Sequence, residues 1–257
     1  TDFINRAPDS FKHAKYAAMR ERSVGLGVMG FHSFLQQNSI PLESVMSKTW
    51  NNKIFKYIKK RTDEASKKLS EERGACPDAK EYGFNERFSN KTAIAPTASI
   101  SIICGGASPG VEPVAANSYT HKTLSGSYNV RNRYLKKVLE KYEKDNQEVW
   151  SSITTNQGSV DHLDFLTQNE KDVFKTAFEL DQRWIVELGA DRTPYISQAQ
   201  SINIFLPADV HKKDLHQIHF QAWKKGLKSL YYCRSKSIQR AENINNNLST
   251  NVTKNDS

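Results

Sequence analysis

Short apolar runs that end near proline or glycine alternate along this chain with long stretches of helical periodicity. Three such runs are residues 92–95, 202–206 and 227–233, and each has the length of a buried β-strand. The last two flank a helical stretch at residues 214–225. A strand–helix–strand unit of this size favours parallel strands with a right-handed crossover. The pattern therefore predicts an α/β fold.

Two long helices are marked by their sequence signals. Apolar residues recur at helical spacing from Pro41 to about residue 74, with Ser39 placed to cap the first turn. The capping box at residues 167–170 opens a second helix, which we predict to run to Gly189.

The glycines of residues 25–30 resemble a dinucleotide-binding fingerprint at first sight. They follow a predicted helix rather than a strand, and no βαβ unit surrounds them. We interpret them instead as positions where two backbones pack closely.

Composition limits the classes of protein that fit this chain. Its 257 residues carry a formal net charge of +9, which fits either a nucleic-acid-binding surface or a solvated, lysine-rich one. No apolar stretch is long enough to span a membrane, and no signal peptide opens the chain. Three widely spaced cysteines, Cys76, Cys104 and Cys233, favour free thiols in a reducing compartment. We therefore expect a cytoplasmic location.

The segment after the first apolar run combines a proline with small and hydroxyl-bearing side chains. Its members are Pro96, Thr97, Ala98, Ser99, Ile100 and Ser101. A bound phosphate needs several N–H donors that converge on one point, and the amides of a tight turn or a helix N-terminus provide them. The segment predicts a phosphate site, and a capped loop before a helix is the alternative interpretation.

Two adjacent tyrosines, Tyr231 and Tyr232, lie at the end of the last apolar run. A phenol can give up a proton and its ring can be oxidised, so a tyrosine pair can relay a radical. Neighbouring side chains of a strand point to opposite faces, so two rings in contact require a local departure from that alternation. The alternative is that tyrosine is simply common in strands.

Three other groups of side chains could take part in acid–base chemistry or metal binding. His216 and His219 share a helical face, but no third ligand accompanies them, so no metal site is predicted. Residues 161–164, with the sequence DHLD, fit a loop better than a catalytic group. Glu112 also lies in a loop, but its flanking glycine and prolines keep it a candidate.

Three segments resemble ribonucleotide reductase large subunits. Residues 92–113 resemble the late active-site segment of that family, through APTASIS at 95–101 and GGASPGVEP at 105–113. Residues 26–31, LGVMGF, resemble an upstream segment of the family. Residues 227–232, LKSLYY, resemble the tyrosine-dyad strand of its class I, oxygen-dependent members. The order and approximate spacing agree with the family over residues 1–240.

The resemblance implies a fold and a set of roles. Residues 1–240 would form the C-terminal part of the family's α/β barrel, with long helices outside and strands inside. Apart from the resemblance, the Asn, Ser and Thr content of residues 241–257 predicts a disordered tail. The segment 96–101 would grip the diphosphate of a ribonucleoside diphosphate that is reduced to the deoxyribonucleoside diphosphate. Tyr231 and Tyr232 would relay a radical from the small subunit to a catalytic cysteine.

The resemblance also implies partners and cofactors outside this chain. A di-iron tyrosyl radical is expected in the small subunit, and thioredoxin or glutaredoxin is expected as the reductant. The family's Asn-x-Cys-x-Glu loop and its other active-site cysteines do not occur in this sequence. We therefore expect a split or truncated chain, as in some phage enzymes, that is inactive without an upstream fragment carrying the catalytic cysteine. A non-enzymatic basic protein that binds phosphate or nucleic acid is the second hypothesis, and it leaves the tyrosine pair unexplained.

Overall fold

The computed structural model describes Ile4 and residues 6–123 and 126–236, and more of these residues are helical than extended. The tail predicted at residues 241–257 lies outside the described residues. The α-helices of the described ranges are α1 (Lys12–Glu21), α2 (Phe31–Gln37), α3 (Val45–Arg73), α4 (Pro77–Glu81), α5 (Ala98–Ile103), α6 (Arg133–Lys141), α7 (Gln147–Thr155), α8 (Gln168–Val173), α9 (Gln182–Arg192) and α10 (Lys212–Lys224).

Extended segments pair in parallel along one side of these helices. Leu26 bridges Thr92, and Ile94 bridges Gln200. Further along the segment that contains Gln200, strand β3 (Ile204–Leu206) pairs in parallel with β4 (Cys233–Ser235). The predicted parallel unit around α10 is confirmed, although both strands begin later than the apolar runs do. The predicted strand at residues 92–95 is present only as isolated bridges.

The first two strands along the chain form an antiparallel hairpin that the sequence pattern did not predict. They are β1 (Ser118–Thr123) and β2 (Gly126–Arg131), with Ser118 opposite Arg131. Nearly all of β2 is exposed. The hairpin therefore lacks the alternation of apolar and polar residues that marks a half-buried strand.

The long helix α3 begins four residues later than predicted. Ser44, in extended conformation, is its N-cap, and the Ser44 hydroxyl oxygen accepts a hydrogen bond from the Ser47 N–H at 3.1 Å. Ser39 has a φ of 55°, outside the extended region that an N-cap normally adopts. The predicted cap was therefore wrong because the chain turns at Ser39 before the helix starts.

The helix predicted from the capping box is in fact two helices. Both hydrogen bonds of the box between Thr167 and Glu170 are present, but α8 ends at Val173. A turn follows in which Glu179 accepts from both the N–H and the hydroxyl of Thr176, each at 2.7 Å. Asp181 then caps α9. Local side-chain hydrogen bonds thus divide a region whose apolar periodicity suggested one helix.

Two hydrophobic clusters stabilise the fold. The smaller surrounds α6, α7 and α8. The larger lies between α2, α3, α9, α10 and the parallel segments. A buried arginine, Arg192, packs against the larger cluster. It donates to Asn51 Oδ1 at 3.0 Å and to Gln200 Oε1 at 2.6 Å, and it lies over the Phe55 ring. Burial lowers the pKa of Arg192 to about 9.

Acidic residues interrupt the lysine-rich face of α3. Lys59 pairs with Asp63, and Arg61 pairs with Glu64, both at 2.9 Å. These pairs are exposed, so each adds little to stability. Their presence favours a solvated helix surface over a continuous basic patch for nucleic acid.

The glycines near residue 27 are used for close backbone packing, as the sequence predicted. The Leu26 N–H donates to Lys91 O, and the Ala93 N–H donates to Leu26 O. A Cβ on Gly27 would lie 2.7 Å from Ala93 O, whereas a Cβ on Gly25 would meet only the Ala93 methyl group at 3.4 Å.

We therefore expect Gly27→Ala to destabilise the chain by about 1–3 kcal/mol, because the added methyl group overlaps a backbone oxygen that cannot move freely. Gly25→Ala is the matched control and should change stability by less than about 0.5 kcal/mol. Urea unfolding of the three chains measures both values. Equal stabilities for the two variants would contradict the packing role of Gly27.

A buried histidine makes stability depend on pH. The His32 side chain is buried, and its Nδ1 accepts the Val114 N–H at 3.0 Å. Burial lowers the pKa of His32 from 6.5 to about 4. The unfolded chain therefore binds more protons than the folded chain between these pH values. Stability present above pH 6.5 is lost as the pH falls towards 4, by up to roughly 3 kcal/mol.

The variant His32→Asn keeps an acceptor for Val114 but cannot be protonated in this range, so this part of the pH dependence should disappear. His13, an exposed residue of α1, provides the control variant His13→Asn, which should retain it. Urea unfolding between pH 4 and pH 7 compares them. A wild-type slope that survives in His32→Asn would contradict the assignment.

Candidate functional site

The predicted phosphate segment forms a turn followed by the start of helix α5. Thr97 adopts the left-handed conformation with φ 51° and is the N-cap. The amides of Ala98, Ser99 and Ile100 lie in the first turn, where N–H groups have no acceptor within the helix. All three residues are exposed. The segment is therefore a turn that leads into a short helix, as the alternative interpretation expected, and phosphate binding stays a prediction.

The hydroxyl groups of this segment have different environments. The Thr97 hydroxyl oxygen accepts the Gly110 N–H at 2.7 Å, and the buried Ser101 hydroxyl donates to Ala98 O at 2.9 Å. Within the described ranges the Ser99 hydroxyl makes no hydrogen bond and is exposed. Thr97 and Ser101 therefore use their hydroxyl groups to shape the turn, and Ser99 is free to meet a ligand.

The two tyrosine rings are in contact. Their centroids are 4.1 Å apart at an interplanar angle of 52°, and the Tyr231 hydroxyl donates to the Tyr232 hydroxyl at 3.4 Å. This hydrogen bond raises the pKa of Tyr231. The Arg234 guanidinium lies 5.9 Å from the Tyr232 ring centroid. Both phenols are about half exposed, so a partner protein could reach them.

The backbone departs from a regular strand at this pair, as ring contact requires. The Tyr231 N–H donates to Ile202 O at 2.8 Å, and the Tyr232 N–H donates to Asn203 Oδ1 at 2.9 Å. Consecutive N–H groups of a regular strand point to opposite edges, yet these two bind the same neighbouring segment. Regular pairing resumes at Cys233, where β4 begins.

Asn203 is a residue of this site that the sequence reasoning did not select. Its side chain is buried, and its Nδ2 donates to Glu112 Oε1 at 2.6 Å. Burial raises the pKa of Glu112, while the Asn203 hydrogen bond and the charge of Arg234 lower it. An asparagine inside an apolar strand was the available signal, because a buried amide needs partners.

The loop that carries Glu112 is fixed against the start of α2. Ser33 and Ser108 exchange hydrogen bonds, in which each backbone N–H donates to the other hydroxyl, at 3.1 and 2.8 Å. The Gly30 N–H donates to Ser108 O at 2.8 Å. A Cβ on Gly110 would lie 2.9 Å from Ala95 O, so the loop also touches the chain that leads into the predicted phosphate turn.

The turn and the tyrosine pair both lie beside one extended segment, residues 200–203. Ile94, two residues before Pro96, bridges Gln200, and the Tyr231 N–H donates to Ile202 O at 2.8 Å. The chain that enters the turn and the chain that carries the tyrosines are therefore both held by this segment.

The other residues that the sequence suggested for acid–base chemistry or metal binding have contacts elsewhere in the fold. The His216 ring stacks on Phe220, and His219 Nδ1 lies 2.9 Å from Leu215 O. His162 Nε2 lies 3.0 Å from the Ser152 hydroxyl, in the loop before α8. In the described part of the chain, no three His, Cys, Asp or Glu side chains are grouped as metal ligands.

Two further expectations can be checked within the described ranges. Cys76, Cys104 and Cys233 are free thiols, and the last two are exposed. None of the described helices is both long enough and apolar enough to cross a lipid bilayer.

Comparison with known proteins confirms the resemblance seen in the sequence. The family model described as ribonucleotide reductase, barrel domain, matches residues 2–86 and 77–233. The ribonucleoside-diphosphate reductase large subunit of Invertebrate iridescent virus 6 is 47% identical over 251 residues, which are 96% of this chain and 26% of that protein. Large chain 2 of the Saccharomyces cerevisiae enzyme is 32% identical over 259 residues, covering 89% of this chain and 30% of that one.

A solved structure agrees with the sequence relatives. The class Id ribonucleotide reductase alpha subunit of Actinobacillus ureae superposes with a TM-score of 0.85 and 39% identity, covering 92% of this chain and 44% of that one. This chain therefore spans less than half the length of each of these proteins. The α/β fold, the matched domain and these relatives together establish that the chain belongs to the ribonucleotide reductase barrel-domain family.

Proposed function

We propose that this chain forms part of a ribonucleoside-diphosphate reductase large subunit, which reduces ribonucleoside diphosphates to the deoxyribonucleotides needed for DNA synthesis. The observation that carries the proposal is the contact between Tyr231 and Tyr232, with ring centroids 4.1 Å apart. The exposed first-turn amides of α5 are a second feature, and the segment at residues 200–203 is hydrogen-bonded both to the chain that enters this turn and to the tyrosine pair. The family to which the chain belongs gives both features a use in one reaction.

The turn would bind the diphosphate of the substrate. The first-turn amides of α5, at Ala98, Ser99 and Ile100, are donors without an intrahelical acceptor, and a helix N-terminus favours negative charge. Pro96 lacks an N–H and sets the direction in which the chain enters the turn. Thr97 and Ser101 support this shape through their hydroxyl groups.

The tyrosine pair would pass a radical through the chain. In each step one phenol loses an electron and its proton, and the neighbouring tyrosyl radical gains both, so charge is balanced. The hydroxyl groups of Tyr231 and Tyr232 are 3.4 Å apart, which gives the proton a short path. A tyrosine phenol is protonated at neutral pH even with its ordinary pKa of about 10, so each phenol has a proton to transfer, and the hydrogen bond to Tyr232 raises the pKa of Tyr231 further in the same direction.

The proposed reaction needs components that this chain does not carry. The rest of a large subunit would supply the catalytic cysteine, and a small subunit with a di-iron tyrosyl radical would supply the oxidising equivalent. Thioredoxin or glutaredoxin would return the active site to its reduced state. The exposed free thiols of Cys104 and Cys233 support a reducing, cytoplasmic setting.

Substrate binding can be tested at Ser99. We expect Ser99→Glu to weaken nucleoside diphosphate binding about tenfold to 100-fold in the assembled enzyme, because the added carboxylate repels the phosphate. The charge should not unfold α5, since an acidic side chain stabilises the first turn of a helix. Equilibrium binding of a nucleoside diphosphate measures the change.

The matched control is Ser99→Ala, which removes only the hydroxyl group. Its effect should be at most a few-fold, because one neutral hydrogen bond contributes roughly 1 kcal/mol. If Ser99→Glu binds the substrate as tightly as Ser99→Ala, the turn is not the diphosphate site.

Radical transfer can be tested at the tyrosine pair. Phenylalanine keeps the ring but has no phenolic proton to lose. We expect Tyr231→Phe and Tyr232→Phe to abolish turnover in an assembly that contains the rest of the large subunit and the small subunit. Their melting temperatures and substrate affinities should stay near those of the wild type, because a lost exposed hydrogen bond costs about 1 kcal/mol or less.

Tyr82, which is 76% exposed and remote from the pair in sequence, provides the control variant Tyr82→Phe with unchanged turnover. The chain assayed alone gives the baseline, and we expect it to be inactive. Near-normal turnover in either variant of the pair would remove the relay assignment and leave two strand tyrosines.

A further inference from the structure

A buried carboxylate and a buried amide lie between the phosphate turn and the tyrosine pair. Glu112 is 8% exposed and Asn203 is 1% exposed. Asn203 Nδ2 donates to Glu112 Oε1 at 2.6 Å, and Asn203 Oδ1 accepts the Tyr232 N–H at 2.9 Å. One side chain thus connects the loop at 108–114 to the backbone of the tyrosine pair.

Glu112 is an unusual choice for a purely structural bridge. Within the described ranges no lysine or arginine forms an ion pair with its carboxylate, the hydrogen bond to its Oε1 comes from a neutral amide, and the charge of Arg234 acts on it from further away. Burying a charge without a close counter-ion is costly, and an apolar side chain would fill the space at lower cost. We therefore ask what the carboxylate contributes that an apolar side chain would not.

That contribution is the orientation of the Asn203 amide. An ionised carboxylate only accepts hydrogen bonds, so it must face the NH₂ group of Asn203. The Asn203 oxygen is then turned towards the Tyr232 N–H and cannot exchange places with the nitrogen. A buried N–H and an NH₂ group would face each other if the amide rotated by 180°. The carboxylate therefore selects the single orientation that holds Tyr232.

The same loop also contacts the phosphate turn. The Gly110 N–H, two residues before Glu112, donates to the Thr97 hydroxyl oxygen at 2.7 Å. The Glu112 N–H closes a turn on Pro109 O at 2.9 Å. A short, hydrogen-bonded piece of chain therefore reaches Thr97 on one side and, through Asn203, Tyr232 on the other.

We propose that Glu112 and Asn203 are positioning residues for radical transfer, and that they hold the Tyr231–Tyr232 ring contact by fixing the backbone N–H of Tyr232. The proposal rests on the proposed function for its effect on turnover. Its structural part concerns only the geometry of the two rings, and can be tested in this chain without any partner.

The first test measures ring geometry in the isolated chain by NMR with ¹³C-labelled tyrosine, with signals assigned from Tyr231→Phe and Tyr232→Phe. The variant Asn203→Leu removes both hydrogen bonds and keeps the number and branching of the side-chain heavy atoms. It should abolish the ring–ring Overhauser contacts and return the pKa of Tyr231 towards its ordinary value. Unchanged contacts and pKa in a folded Asn203→Leu chain would overturn the proposal.

A rescue separates positioning from general loss of folding. Asn203→Asp should also lose the ring contact, because two carboxylates then face each other. The double variant Glu112→Gln/Asn203→Asp exchanges donor and acceptor, since the new amide donates to one aspartate oxygen while the other accepts from Tyr232. It should restore the ring contact. Failure of the rescue in a chain with a wild-type melting temperature would count against the bridge.

The second test measures turnover and substrate affinity in the assembled enzyme. Asn203→Leu and Asn203→Asp should lower turnover roughly tenfold to 100-fold, the scale expected for a misplaced reacting group, with little change in substrate affinity. The double variant should return turnover to within a few-fold of the wild type. Glu112→Gln alone can still accept from Asn203 but no longer excludes the rotated amide, so its turnover should fall between those of the wild type and Asn203→Leu. A loss in Glu112→Gln as large as in Asn203→Leu would overturn the positioning role in favour of a direct role of the charge.

The two proposals fail in different ways. If Tyr231→Phe and Tyr232→Phe remain active, the relay is wrong, while the NMR result still decides whether the bridge sets ring geometry. If those variants are inactive but Asn203→Leu retains both ring contact and turnover, the relay stands and the bridge is rejected.

Discussion

The loop from Ser108 to Val114 is the constraint on which the candidate site depends. It exchanges hydrogen bonds with Ser33 at the start of α2, and its Val114 N–H is accepted by the buried ring of His32. On its other side, Gly110 lies against Ala95 with no room for a side chain. Because a packed interior yields little to local strain, a shift of this loop would be transmitted to each element it touches.

The position of this loop also affects the geometry of the tyrosine pair, on which the proposed radical transfer depends. Ring contact exists because the N–H groups of Tyr231 and Tyr232 bind consecutive residues of one segment, Ile202 and Asn203. A regular strand would separate the rings to opposite faces. The hydrogen bond that breaks the alternation comes from a side chain, so the geometry of two exposed phenols is set by a buried amide and, through it, by the Glu112 carboxylate.

Both halves of the site have their backbone held by hydrogen bonds within this chain, and both expose the groups to which the proposal gives a role. The turn at Thr97 has its shape set by hydrogen bonds within this chain, and the residues of its first turn, including Ser99, are exposed. The phenols of the tyrosine pair are also about half exposed. The chain spans less than half of its relatives' length, and in the proposed assembly these exposed surfaces would contact the substrate and the rest of a large subunit.

The sequence alone determined the fold class and the two principal motifs. Apolar runs and helical periodicity indicate which side of each segment is buried, and this pattern predicts the fold class. The hydroxyl-rich turn and the tyrosine pair each consist of neighbouring residues, so each motif is visible in the sequence without a structure. Local signals were less reliable where two competed, as at Ser39 and Ser44. The exposed β1–β2 hairpin gave no signal at all. Only the tertiary structure brought Glu112 and Asn203 together, because residues 91 positions apart in sequence meet through strand register and loop packing, which periodicity does not encode.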